Sequence, residues 1–278
     1  MYTSGIAGKL YGKPRVFGFT ELARRKIKEK PAELQRAPVL TAVSIDCSLD
    51  NLCVRILARH RDRIRTKKPY LAVSNLARIV KATLKLSNKQ GFHATSLRDL
   101  ANETGISMGG VYSYIDSKDT LLLMILGEVI TTATEVLEST PHDIKADPAA
   151  HLRWLIHAHI ELTEQMLPWF VFSYMEAKTF PEAARNAAIA NEIAVERIFA
   201  AALKRGVASG LFSTPDPDLT AALIKPLLQD WYVKRSKYRK RSIGPSAYAE
   251  YVADFVEAAL RRPTPQRAIH QSQRLRRL

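Results

Sequence analysis

The run GFHATSLRDLANETGISMGGVYSYIDSKDTLL, from Gly91 to Leu122, decides how the chain is read. Ser96 stands where it can cap a helix that carries Leu97, Leu100 and Ala101 on one face. Gly105 then supplies a residue able to adopt a left-handed turn, and Ser107 caps a second, very short helix reaching Tyr114. Ser117 opens a long helix from Lys118 towards Leu137, with Pro141 beyond its end. A short helix, a glycine turn and a second capped helix form a helix-turn-helix, whose second helix can enter a major groove about 12 Å wide. Leu97, Leu100, Ala101, Ile106, Val111 and Ile115 can hold the two helices together. Arg98, Ser107, Met108 and Tyr112 are left facing outward.

The order and spacing of Gly91, Thr95-Ser96, Ala101, Gly105-Ile106-Ser107, Gly110, Tyr112, Tyr114, Lys118 and Leu121-Leu122 resemble the DNA-binding domain of the bacterial tetracycline-repressor (TetR) family. The resemblance implies a homodimeric transcriptional regulator, most often a repressor released from a palindromic operator in duplex DNA by a small molecule. By position it places Thr95, Ser96, Arg98, Ser107, Met108, Gly109, Gly110, Tyr112, Tyr114 and Lys118 at the DNA. Met108, Gly109, Gly110 and Tyr112 belong to the recognition helix, and Tyr114 and Lys118 fall at the usual phosphate contacts. Lys118 also lies at a helix N-terminus, which favours an anion. Two glycines in so short a helix cost about 1 kcal/mol each relative to alanine. Either the backbone comes close to DNA there, or the helix is braced well enough to tolerate them. Gly and Met side chains cannot hydrogen-bond a base edge, which leaves Met108 for a thymine methyl and Arg98 for the main polar base contact.

Outward from the motif the pattern stays helical. Ahead of it, Leu76, Ile79, Val80, Leu84 and Leu86 mark a helix ending before Gly91. Behind it, helices are expected over Pro148–Met166, Pro168–Lys178, Pro181–Ser209, Pro217–Arg235 and Pro245–Arg261, each starting at or near a proline, which suits a first turn. The fold class is all-α: a helix-turn-helix domain followed by a helical ligand-binding and dimerisation domain. Residues 71–120 are assigned to the first and 121–262 to the second. Leu219, Leu223, Leu227 and Leu228, with Tyr248, Val252, Phe255, Val256 and Leu260, offer the apolar faces that a dimer bundle or the monomer core requires. Pro226 should bend its helix. Trp154, Trp169, Phe170, Phe172, Tyr174 and Met175 are candidates for a ligand pocket, with plain core as the alternative. His151, His157 and His159 share a helix but point apart, and read as ordinary histidines rather than metal ligands.

The charge is concentrated at the ends. The chain has 278 residues and a net charge of +15. Residues 1–70 carry 16 Lys and Arg against 6 Asp and Glu, residues 71–260 carry 20 against 21, and residues 261–278 hold six Arg and no acid. The basic extension, residues 1–70, precedes a motif that usually begins near a family member's N-terminus. It contains an extended basic stretch, Tyr11–Arg15, of the kind laid in a minor groove. A short helical stretch near Thr20–Lys30 and an amphipathic helix over residues 48–65 follow. That second helix could cross the phosphate backbone or dock on the DNA-binding domain, and a misassigned start near Leu71 is a further reading. Lys67-Lys68-Pro69 reads as a linker, and the Arg-rich tail, residues 263–278, as disordered. The run Lys234–Arg241 could hold the phosphates of an acyl-coenzyme A or simply connect two helices.

Cys47 and Cys53 make no disulfide framework or zinc spacing. No apolar run approaches the roughly 20 residues of a membrane span, and no signal region opens the chain, so no membrane partner and a cytoplasmic address are expected. There is no phosphate loop after a strand, no triad and no paired-carboxylate signature, so neither a cofactor nor enzyme activity is expected. The effector would be small and hydrophobic, with a fatty acid or acyl-CoA as candidates. The alternative function is a basic architectural or activating DNA-binding protein without an effector.

Overall fold

The computed structural model describes residues 45–62, 64 and 69–261. The Tyr11–Arg15 stretch, the Thr20–Lys30 helix and the tail 263–278 lie outside these residues. Among the described residues the fold is all-α, as the periodicity indicated.

Helix α1 (Leu49–Arg59) begins at Ser48, whose hydroxyl accepts the Asn51 N–H while Asp46 accepts the Ser48 N–H at 2.8 Å. Its stripe of Leu52, Cys53 and Ile56 is completely buried. The helix packs on α2 (Pro69–Gln90), so it docks as part of the core. Pro69 opens α2 at its first turn and is not part of a linker, and α1 stops at Arg59, short of the expected Arg65.

Helix α3 (Leu97–Thr104) is fixed by a reciprocal cap, the Ser96 hydroxyl accepting the Asp99 N–H and the Asp99 carboxylate accepting the Ser96 N–H. It ends at Gly105, whose φ of +66° is the left-handed value that the turn required. Helix α4 (Met108–Tyr112) starts from the Ser107 cap, and α5 (Lys118–Glu138) from Ser117. Leu100, Val111 and Ile115 seal the α3–α4 unit against α2.

Helix α5 is long and apolar enough to cross a membrane by length and composition, but it is the core helix here. Near its middle, the fully buried Glu128 accepts Arg55 Nε at 2.7 Å, Thr132 Oγ1 at 3.0 Å and the Arg59 guanidinium. A carboxylate with no solvent must be paired to stay charged, and α1 supplies both cations. Arg55 also reaches Glu135. Two of the extension's basic residues are thus spent inside the fold.

A short helix α6 (His142–Ala146), which the periodicity did not show, leads to α7 (Pro148–Gln165) at the centre of the second domain. Around it lie α8 (Leu167–Met175), α9 (Glu182–Ala208), α10 (Pro217–Val233), α11 (Arg235–Lys240) and α12 (Pro245–Leu260). Arg153 of α7 binds Glu250, Asp254 and Glu257 along one face of α12. The helix α10 continues through Pro226. Close approach decides Gly206, where a Cβ would sit 2.0 Å from the Phe212 ring.

Candidate nucleic-acid interface and cavities

The ten residues assigned to DNA divide by exposure. Ser96, Arg98, Ser107, Gly109 and Tyr112 are exposed on the α3–α4 face, with Met108 and Gly110 half-buried beside them. Thr95 is buried, its hydroxyl donating to the Gly91 carbonyl at 2.9 Å. Tyr114 is buried too, and its hydroxyl accepts Asn75 Nδ2 at 3.1 Å, so it braces α2. Lys118 donates to the carbonyls of Phe92 at 3.0 Å and His93 at 2.8 Å, with its ammonium 4.9 Å from the Phe92 ring centroid. Its amine therefore ties the start of α5 to the turn before α3.

The two glycines of α4 have separate explanations. A Cβ on Gly110 would lie 2.7 Å from Ile106 Cγ2 and 3.2 Å from the Ser107 capping oxygen, so close packing excludes a side chain. A Cβ on Gly109 would meet nothing within 4 Å. Gly109 leaves bare backbone on an exposed surface.

Arg78, Phe92 and Glu176 organise this unit, and sequence reasoning did not single out any of them. The Arg78 guanidinium caps the Thr104 carbonyl at the end of α3. The Phe92 ring stands edge-on to Phe172 at 5.5 Å and Phe180 at 6.4 Å, and its N–H donates to Glu176 Oε2 at 2.9 Å. The turn before α3 and the segment around the end of α8 are thus joined across a large sequence separation, for which no local signal exists.

Two cavities flank α8. One of about 580 Å³ lies among α5, α8, α9 and α10, with Phe170, Tyr174 and Met175 in its wall. The other, of about 660 Å³, is a groove between α2 and α8 lined by Trp169, Phe172 and Met175. Trp154 lines neither and belongs to the core beneath them. Both volumes fall within the roughly 300–1,000 Å³ of small-molecule sites.

Each histidine of α7 faces a different neighbour. His151 Nδ1 lies 2.6 Å from Arg205, which can only donate, so Nε2 carries the proton towards Thr140 at 3.1 Å. Burial, with Arg205 beside it, pushes the His151 pKa down to about 4. His157 approaches Glu250 at 3.2 Å, and His159 accepts from Lys225 at 3.0 Å. Among the described residues no cluster of metal-ligating side chains forms.

In the basic run, Lys234 and Lys237 pair with Asp230 at 2.8 and 2.7 Å, and Arg235 pairs with Glu164. Arg239, Lys240 and Arg241 are exposed on and just after α11.

Residues 79–125 match the profile of bacterial regulatory proteins of the tetR family, and residues 145–240 match that of the tetracyclin repressor-like C-terminal domain. The chain belongs to the TetR family. TetR-family proteins are DNA-binding transcriptional regulators rather than enzymes. The HTH-type regulator HbdR of Aromatoleum sp. (strain CIB) is 23% identical over 188 residues, covering 67% of this chain and 79% of HbdR. YerO of Bacillus subtilis, an HTH-type regulator, is 34% identical over 71 residues, which are 26% of this chain and only 25% of YerO. Among solved structures, PfmR of Thermus thermophilus superposes with a TM-score of 0.53 at 26% identity, over 66% of this chain and 97% of PfmR. FadR of Bacillus subtilis, solved with stearoyl-CoA, shares the fold at 16% identity and a TM-score of 0.53, over 66% of this chain and 98% of FadR. In this TetR-family chain, α1 precedes the residues that either family profile covers.

Proposed function

We propose that the chain is a homodimeric repressor that binds a palindromic operator through α3 and α4 and is released by a small hydrophobic ligand. Residues 71–120 form the reading unit and 121–262 the effector and dimerisation unit, with α5 running across their boundary. One observation carries the reading: α8 walls both cavities, and its last turn and the residues after it grip the Phe92 turn of the DNA-binding domain. A ligand that shifts α8 acts on the helix-turn-helix through that grip, favouring a dimer whose recognition helices no longer match the operator.

The cleft among α5, α8, α9 and α10, with apolar walls from Leu126, Val129 and Phe170, supports this reading over an architectural protein without an effector site. An acyl chain is a reasonable occupant, given that a protein of the same fold is known with stearoyl-CoA. For dimerisation, Leu219 and Leu223 of α10 and Tyr251 and Phe255 of α12 are 57–72% exposed, a bare apolar face of the kind a four-helix interface covers. Leu228, Tyr248, Val252, Val256 and Leu260 are buried within the monomer instead, and Tyr251 was not among the residues expected from sequence.

The test is a gel shift with DNA upstream of the chain's own gene. Binding that survives excess competitor DNA is expected, and no preference over competitor rejects the proposal.

A further inference from the structure

Lys225 lies in the wall of the cleft among α5, α8, α9 and α10, near the middle of α10, and is almost wholly buried. Its ammonium donates to His159 Nε2 at 3.0 Å. Among the described residues it has no carboxylate within ion-pair distance. The imidazole is neutral, since burial and Lys225 itself hold its pKa well below the usual value. With Nε2 accepting, the ring proton sits on Nδ1, which is also buried and has no hydrogen-bond partner among the described residues. Glu192 and Glu196 of α9 act on it from beyond ion-pair distance, and a buried cation without a directly paired anion is costly. Burial lowers the Lys225 pKa to about 8 against the opposing pull of Glu192 and Glu196, so the amine is still mostly charged at neutral pH.

The rest of the wall separates by chemistry. Leu126 and Val129 of α5, with Phe170 and Tyr232, present apolar surface, while the exposed Lys178, Arg185 and Glu192 stand around the opening. Glu192 is the cavity's carboxylate, and it accepts from Gln229 at 2.7 Å. Three lining cations against one lining carboxylate, with Glu196 one turn further along α9 and one of the cations buried among apolar side chains, describe a site for an amphipathic anion.

We propose that this cavity binds an organic acid, its apolar body against Leu126, Val129, Phe170 and Tyr232 and its carboxylate on the Lys225 ammonium. This rests on the effector reading above and narrows it, because neutral and cationic hydrophobic compounds are disfavoured. His159 is a positioning residue here: its Nε2 holds the amine in the wall.

The experiment is calorimetric titration of the full chain, below micellar concentrations, with two matched sets. One set is dodecanoate, dodecanol and dodecyltrimethylammonium. The other is 4-butylbenzoate and 4-butylbenzyl alcohol. In at least one set the acid is expected to bind about ten-fold or more tightly than its alcohol, the size of a charge-assisted contact. In Lys225→Met, which keeps the side-chain bulk, acid and alcohol should bind alike. An alcohol that equals its acid on the wild-type protein in both sets overturns the inference and leaves the effector reading standing. So does a preference for acid that persists in Lys225→Met. Failure of every probe to bind counts against both.

Discussion

The Phe92 N–H donates to the Glu176 carboxylate across 2.9 Å, joining the turn before α3 to the residue that ends α8. The Phe172 and Phe180 rings close the same junction against the Phe92 ring. Glu176→Ala removes the charged acceptor and should cost about 1–2 kcal/mol in urea unfolding. Operator affinity should stay within a few-fold of wild type, because no residue of α3 or α4 changes. The loss should appear in ligand-induced release, measured as operator affinity with and without a bound cavity ligand. Unchanged release would show that coupling runs elsewhere.

Gly109→Ala and Gly110→Ala should behave oppositely. At Gly110 the new methyl meets Ile106 Cγ2 at 2.7 Å, so the fold should lose about 1–3 kcal/mol. At Gly109 the methyl enters open space, and helix propensity should add up to about 1 kcal/mol of stability. If the bare backbone is there to approach DNA, Gly109→Ala should nevertheless weaken operator binding. Denaturation and fluorescence anisotropy on the same two variants separate the effects.

Removing Arg55 and Arg59 together strands Glu128 as an unpaired buried charge. The double Ala variant should lose about 3–5 kcal/mol of stability. Since both guanidinium groups face α5, the salt slope of DNA binding by the folded fraction should not change. Deletion of residues 1–44, which carry nine Lys and Arg against three acids and leave α1 in place, tests the extension's charge separately. A shallower salt slope in that truncation would assign the charge to phosphate contact.

Acid should weaken the fold through its buried histidines. His151 has a pKa of about 4 in the folded protein and an ordinary value near 6.5 when unfolded, so the unfolded chain takes up a proton that the native one refuses. Stability from this residue is complete above about pH 6.5 and falls as the pH drops towards 4, on the order of 3 kcal/mol in all. His159 shifts in the same direction through its own burial. Urea midpoints at pH 7, 5.5 and 4.5 should decline, and more gently in His151→Gln.

Much of this was legible in the sequence because capping and glycine chemistry are local. Ser96, Gly105, Ser107 and Ser117 each fix a helix boundary within a few residues of themselves, and the structure places each as its type requires. What escaped depends on tertiary pairing. Nothing local to the helix that carries Arg55 and Arg59 tells phosphate contact from docking, and only Glu128 beneath them decides it. Lys118 sits at a position suited to phosphate, yet its amine is held by the Phe92 and His93 carbonyls. Lys225 was not singled out in the sequence, and only the packing of α7 and α9 around α10 makes it a buried cation. Periodicity along one helix does not report which face meets which neighbour.

Footprinting on DNA upstream of the chain's own gene tests the central claim most directly. The account predicts one protected palindrome, two half-sites with centres about 34–36 Å apart on one face of the duplex. In Arg98→Ala the sequence preference of that protection should be lost. Uniform protection without a preferred site, or a single half-site bound by a monomer, would contradict an operator-reading dimer.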